Sequence, residues 1–257
     1  MFVDVHAHLD DKAFDDDRQQ VLEKIGEAGI VVVNAGSDMA SSRFSVDLAH
    51  EHDFIFACVG VHPHEAEKVQ KDYIEELEKL AKNPKVIGIG EIGLDYYYDF
   101  SDRKIQKKVF MEQLELAKSL DLPVIVHNRE AHQDTLDILK KVRPSKGLMH
   151  CYSGSLEMAR EFMQLGFYFS FGGVITFKNA KKPKEVASEL PLDKILLETD
   201  CPYLSPEPYR GKRNDPTRIP IIAQQLAQLR KISVDEIKRT TYSNLLHLAP
   251  KLLTFFK

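Results

Sequence analysis

His6-Ala7-His8 follows directly on the apolar run Phe2-Val3-Asp4-Val5. In an extended strand, residues two apart point to the same side, so two imidazoles converge where the strand runs out. That is half of a metal site. The spacing occurs three times, at His6/His8, His50/His52 and His62/His64. Ten histidines in 257 residues would give roughly 0.4 such pairs by chance. Spacing alone therefore selects none of them. The first pair gains weight because other ligand-type residues also sit where apolar runs end: His62, Glu91, His127, His150 and Asp200. His6, His8, His127, His150, Glu91 and Asp200 combine nitrogen and carboxylate donors, which suit zinc, manganese or similar divalent ions. A carboxylate shared by two ions holds them about 3.5–4 Å apart. Glu91, near mid-sequence, is the natural bridge.

Several neighbours have two readings. Glu198 shares a strand face with Asp200 but lies deeper, so it reads as a paired interior residue. His50 and His52 stand at a helix end and read as solvent-facing. Cys151 and Cys201 each follow a proposed ligand, and alternation turns them away from it, which favours packing. Arg129, two residues past His127, could grip a phosphate or carboxylate. Tyr96, Tyr97 and Tyr98 could stack on bases or simply pack a loop. Arg210, Lys212 and Arg213 form a basic loop that could meet a phosphate backbone or remain solvated.

These residues need a scaffold. Eight short apolar runs read as strands: Phe2–Val5, Ile30–Ala35, Phe54–Val59, Val86–Ile92, Pro123–His127, Gly147–His150, Phe167–Phe171 and Ile195–Thr199. They are apolar on both faces, as parallel strands covered on both sides should be. Amphipathic stretches between them predict helices over Asp15–Ala28, Asp72–Lys82, Arg103–Leu120, Ala131–Val142 and Leu156–Leu165, with Pro216–Leu229 and Val234–His247 closing the chain. Ile105, Val109, Leu114, Ala117 and Leu120 form the expected apolar stripe of the longest. Eight β-then-α units in one chain of this length predict a TIM-type (β/α)8 barrel, a single domain over residues 1–257. The alternative, a doubly wound sheet, lacks a G-x-G-x-x-G after the first strand. In a barrel the strands' C-terminal ends carry the chemistry, which is where the six ligand candidates fall.

The net charge of −4 and pI of about 6.2 give no long-range attraction to nucleic acid. A polyanion would have to be drawn by a metal or a local basic patch. Cys58, Cys151 and Cys201 are an odd set without C-x-x-C spacing and read as free thiols of a reducing, cytoplasmic compartment. No run approaches the ~20 apolar residues of a membrane helix, and no signal peptide fits before the first strand. No obligate protein partner is evident.

Taken together, the motifs resemble the TatD family of metal-dependent hydrolases, within the amidohydrolase superfamily. The matching stretches are Asp4-Val5-His6-Ala7-His8, Gly60-Val61-His62-Pro63-His64, Gly90-Glu91-Ile92-Gly93-Leu94-Asp95-Tyr96, His127-Asn128-Arg129-Glu130-Ala131, His150-Cys151-Tyr152-Ser153-Gly154, Glu198-Thr199-Asp200-Cys201-Pro202-Tyr203-Leu204 and Pro208 to Asn214. The resemblance implies two divalent ions (Mg, Mn, Zn, Co or Ni). One would rest on His6, His8, Glu91 and Asp200, the other on Glu91, His127 and His150. His62 would contact substrate, and Asp200 would move the proton of an attacking water. The implied activity is removal of nucleotides from the 3′ end of DNA. Hydrolysis of an ester or amide, such as a D-aminoacyl-tRNA bond, is the rival enzyme reading. A nucleic-acid-binding barrel without turnover is the non-enzyme one.

Overall fold

The computed structural model describes residues 1–256. Eight strands, β1 (Phe2–Ala7), β2 (Ile30–Ala35), β3 (Ile55–Val59), β4 (Val86–Asp95), β5 (Val124–Arg129), β6 (Gly147–Met149), β7 (Phe167–Phe171) and β8 (Ile195–Leu197), pair in parallel in chain order. Two backbone bonds join the last strand end to the first. Asp200 N–H donates to the His6 carbonyl and His8 N–H to the Cys201 carbonyl, each at 2.9 Å. The sheet thus curls into the TIM-type barrel that the alternating elements predict.

The helices α1 (Arg18–Glu27), α2 (Met39–Glu51), α3 (Tyr73–Ala81), α4 (Arg103–Ser119), α5 (His132–Val142), α6 (Leu156–Gln164), α7 (Lys181–Glu189), α8 (Ile219–Arg230) and α9 (Val234–Leu248) accompany the strands. Because each strand is covered on both sides, the core is double. Side chains such as Val32, Ile89, Val126 and Phe169 pack outward against Leu22, Leu77, Leu114 and Leu226 of the helices. Val3, Val31, Phe56, Ile87, Ile125 and Leu196 fill the barrel and meet Leu245, Leu248 and Leu252 from the chain's last segment. That segment covers the strands' N-terminal end, where Lys251 Nζ donates to the carbonyls of Asn83 and Val86. With that end closed by apolar side chains, the polar residues collect at the other.

Two helices escape the sequence reading. In α2, identified from sequence only by its end at His50, the serines blur the apolar period. Its start is fixed instead by a reciprocal bond pair between Asp38 and Ser41. In α7 the buried residues are only Val186 and Ala187, and Pro183 lies in its first turn. The stripe of α4 also differs. Ile105 is exposed, whereas Gln106 and Gln113 are buried, for a reason that the site supplies.

Candidate active site

Strand β1 delivers the first pair through an irregularity. Its register against β2 shifts between Asp4 and Ala7. Strict alternation from the inward-facing Val3 and Val5 would turn His6 outward. The shift lets His6 and His8 both face the barrel mouth, while Ala7 and Leu9 join the outer core. Buried Asp4 holds this kink. Its Oδ1 accepts from the backbone N–H of His6 (3.3 Å) and of Thr199 (2.9 Å), and its Oδ2 from the Thr199 hydroxyl (2.5 Å). Burial pushes the Asp4 carboxyl up to about 8, against the pull of the Thr199 and His6 bonds.

Strand β4 brings Glu91 to the centre. A Cβ on Gly93, whose φ is 148°, would lie 1.9 Å from the His127 carbonyl oxygen, and one on Gly90 would lie 2.6 Å from Ile125 Cβ. Only glycine lets β4 run this close to β5. Glu91, 4% exposed, divides its two oxygens. Oε1 is 2.8 Å from His127 Nδ1, 3.0 Å from His150 Nε2 and 3.4 Å from His62 Nε2. Oε2 is 3.2 Å from His6 Nε2 and 3.4 Å from His8 Nε2. Asp200 Oδ1 lies 3.6 Å from His8 Nε2 and 4.0 Å from His6 Nε2. The six residues expected as ligands thus stand together at one end of the barrel.

Outer partners decide which ring nitrogen faces inward. His8 Nδ1 donates to the Ala35 carbonyl at 3.0 Å, and His127 Nε2 to Asp95 Oδ2 at 3.0 Å. His150 Nδ1 faces Glu198 Oε2 at 3.4 Å, within ion-pair range but without a hydrogen bond, and the same oxygen accepts from the Ser170 hydroxyl. With those nitrogens protonated, His8 Nε2, His127 Nδ1 and His150 Nε2 present lone pairs to Glu91. His6 Nε2 and His8 Nε2 are only 3.1 Å apart, and buried His6 Nδ1 has no partner among the described residues. Lone pairs gathered around a carboxylate need positive charge between them. This donor set, with its outer hydrogen bonds, fits divalent cations.

Without a metal that charge must come from protons. Burial lowers the pKa of His8 and of His150, but the facing carboxylates outweigh it, Asp200 and Glu91 for His8 and Glu91 and Glu198 for His150. Both end well above the usual imidazole range. Burial alone would raise Glu91, yet the surrounding histidines, led by His62, His150 and His6, hold it well below the carboxylate range. Asp200 is likewise lowered, burial being overcome chiefly by the bond to His8.

His62 is different. Its Nδ1 accepts the backbone N–H of His64 at 3.2 Å, so in the neutral ring the proton lies on Nε2. Burial brings its pKa down to about 4. The donors that converge within ligand range form three overlapping groups: His6/Glu91/His150, His6/His8/Asp200 and His62/Glu91/His127. In the third, the His64 amide argues against His62 as a ligand, because it leaves an N–H rather than a lone pair aimed at the centre.

Asp95, unassigned from sequence although it stands in the Gly90–Tyr96 motif, is fully buried and joins several parts. Its Oδ2 contacts His127 Nε2 and, at 2.9 Å, His64 Nε2. Its Oδ1 accepts the backbone N–H groups of Tyr97 and Tyr98. Burial would raise the Asp95 carboxyl, but the bonds from His127 and His64 hold it far below its ordinary value. The buried glutamines of α4 hold the strand ends. Gln106 bonds both backbone groups of Asp95, and Gln113 both backbone groups of Val61, next to His62. Polar residues at helix positions facing the sheet were the available signal.

The expected substrate residues scatter. Arg129 lies over the rings of Tyr97 (4.0 Å) and Tyr98 (4.7 Å) near the mouth. Tyr96 is engaged elsewhere, its hydroxyl donating to Asp134 at 2.6 Å. Arg210 stacks on Phe177 and Lys212 is exposed. Arg213 does not join them in open solvent. It forms a two-pronged pair with Asp17 (2.7 Å each) and covers Phe14, so it fastens the β8 loop to the β1 loop. His50 is exposed and His52 half-buried against Phe54, away from the cluster. Cys58 and Cys201 are buried and Cys151 partly so; all three are free thiols. Among the described residues, no helix is long and apolar enough to cross a membrane.

Comparison with known proteins agrees with this geometry. A family model described as TatD related DNase matches residues 3–249. The metal-dependent hydrolase YabD of Bacillus subtilis is 44% identical over 247 residues, covering 95% of this chain and 97% of its own length. The metal-dependent hydrolase YcfH of Escherichia coli is 35% identical over 252 residues, with coverage of 96% and 94%. The crystal structure of the Escherichia coli TatD homolog YJJV superposes with a TM-score of 0.91 at 34% identity, covering 97% of this chain and 98% of that one. The chain belongs to the TatD family of metal-dependent hydrolases.

Proposed function

We propose that the protein hydrolyses phosphodiester bonds of DNA, releasing nucleotides from the 3′ end, at a centre built for two divalent ions. One observation carries the two-ion reading. Glu91 turns Oε2 toward His6 and His8, and Oε1 toward His127 and His150. His6, His8 and Asp200 would complete one position, and His127 and His150 the other. Bound there, such ions polarise a phosphoryl oxygen and bring the pKa of water toward neutrality. The chain's own groups would do the rest. Asp200, at the accessible edge, accepts the proton of the attacking water and passes it toward the leaving oxygen. His62 Nε2–H, neutral and aimed at the centre, donates to a phosphoryl or leaving oxygen and stabilises charge that grows in the transition state. The family's description as related to DNases supports DNA, as does Arg129 near the mouth. A centre recessed among the strand ends, with Glu91 only 4% exposed, favours chain ends over internal bonds.

The test supplies Mg²⁺, Mn²⁺, Co²⁺ or Zn²⁺ to chelator-stripped protein and compares linear with closed circular DNA. Linear DNA should be shortened from its 3′ end and the circle left intact. Equal cutting of both would remove the 3′-end reading. Turnover of D-aminoacyl-tRNA without any turnover of DNA would move the centre's chemistry to carbonyl esters.

A further inference from the structure

The mouth of the barrel is electrically lopsided. The loop after β1 carries Asp10, Asp11, Asp15, Asp16 and Asp17 against Lys12; Asp15 pairs with Arg18 and Asp17 with Arg213, which leaves Asp10, Asp11 and Asp16 without an ion-pair partner among the described residues. The loop after β7 and the first turn of α7, residues 172–184, carry Lys178, Lys181, Lys182 and Lys184 and no acid. Lys178, Lys181 and Lys182 are exposed, and none of the four lysines pairs with a carboxylate among the described residues. Lysines in the first turn of a helix also oppose its dipole, and no acidic residue there offsets them. Arg210, from the loop after β8, lies 4.4 Å from the centre of the Phe177 ring, so a fifth cation joins the same surface. The Glu207 N–H bonded to Thr176 Oγ1 at 2.8 Å ties the two loops together. Toward β5 the surface continues to His132, whose pKa is lowered by burial and then by the charge of Lys182.

We propose that Lys178, Lys181, Lys182 and Arg210 form a track for the phosphate backbone of a nucleic-acid substrate beyond the bond being cut. This rests on the phosphodiester reading of the site. A polyanion approaching a protein of net charge −4 gains only where cations are concentrated, and each phosphate it places there releases counterions. The unpaired aspartates after β1, Asp10, Asp11 and Asp16, repel it from the other side. The chain would therefore leave the metal centre over β7 and β8. Arg213, held by Asp17, would contribute nothing to the track.

The test uses the metal-loaded enzyme and a variant carrying Lys178→Glu, Lys181→Glu and Lys182→Glu. A control variant carries Lys24→Glu, Lys79→Glu and Lys141→Glu, the same charge change at the far ends of α1, α3 and α5. Binding of a fluorescent phosphorothioate oligodeoxynucleotide is followed against salt, and turnover of an unmodified oligonucleotide and of bis(p-nitrophenyl) phosphate is measured in parallel. Relative to the control, the track variant should bind at least about tenfold more weakly, and its log–log salt slope should be shallower by about 2. Its ratio of kcat/KM for oligonucleotide over small diester should fall similarly. Equal affinity and slope in the two variants would overturn the track while leaving the phosphodiester reading intact. A weakened track variant in an enzyme that turns over neither substrate would support the track and sink the phosphodiester reading. Wild-type protein that binds no oligonucleotide would overturn both.

Discussion

The two histidine pairs at the barrel mouth have the same spacing and opposite arrangements. In the first, His8 gives its Nδ1 proton to the Ala35 carbonyl, and Nε2 of both rings converges on Glu91. In the second, His62 Nδ1 accepts the His64 amide, so its inward nitrogen carries a proton, while His64 turns aside to Asp95. A ring becomes a ligand or a donor according to what its far nitrogen meets. Residue type and spacing bring a histidine to the mouth; the backbone and the outer carboxylates set its job.

The comparison is broken hardest at Glu91. Glu91→Ala removes the carboxylate that faces both sets of histidines. Losing metal stabilisation worth several kcal/mol should cut turnover by about 10³-fold or more, with the barrel still folded by circular dichroism. Full activity with full metal content would dismiss the shared-carboxylate arrangement. His62→Ala should lower kcat by about 10²–10³-fold, as removal of a transition-state donor does. If only KM rises, the donor role is wrong.

Asp95→Asn sharpens the contrast from outside the centre. Losing the acceptor that fixes His127 should weaken metal affinity by about 10–100-fold, read by competition with a chromophoric chelator. Unchanged affinity would leave Asp95 as a loop anchor alone. Proton competition gives a pH signature. Because His8, His127 and His150 are raised in the metal-free protein, protons compete with metal above the usual imidazole range as well as within it. Apparent affinity should climb from pH 6 through pH 7 and beyond, with proton release on binding visible as buffer-dependent heat. Affinity that is flat across this range would mean that the inward nitrogens are already bare. The smallest effect belongs to the third pair: His50→Ala, exposed on α2, should match wild type in both metal content and turnover.

Much of this was legible in the residues, for identifiable reasons. Parallel strands buried on both sides are continuous apolar runs, so all eight could be read. Ligands at strand ends follow from the barrel. The register shift at Asp4 was not legible, because alternation is a local rule and the bonds that override it come from Thr199, 195 residues away. Asp95 is not legible as a site residue, because an acid beside three tyrosines resembles a turn; only the fold places His64 and His127 beside it. Gln106 and Gln113 sit at positions facing the sheet, where a hydrophobic pattern expects apolar side chains, and their backbone partners are set by tertiary packing. Arg213 reads in sequence as part of a basic loop; the fold brings Asp17, from the other end of the chain, to occupy it.

The division between ligand and donor is tested most directly by counting metal ions in two single variants. Wild type, His62→Ala and His127→Ala would be purified without chelator, loaded with the same divalent ion, desalted, and measured by elemental analysis. His62→Ala should retain the wild-type stoichiometry, and His127→Ala should lose about one ion per chain. Equal loss in both variants would contradict the division and place His62 among the ligands.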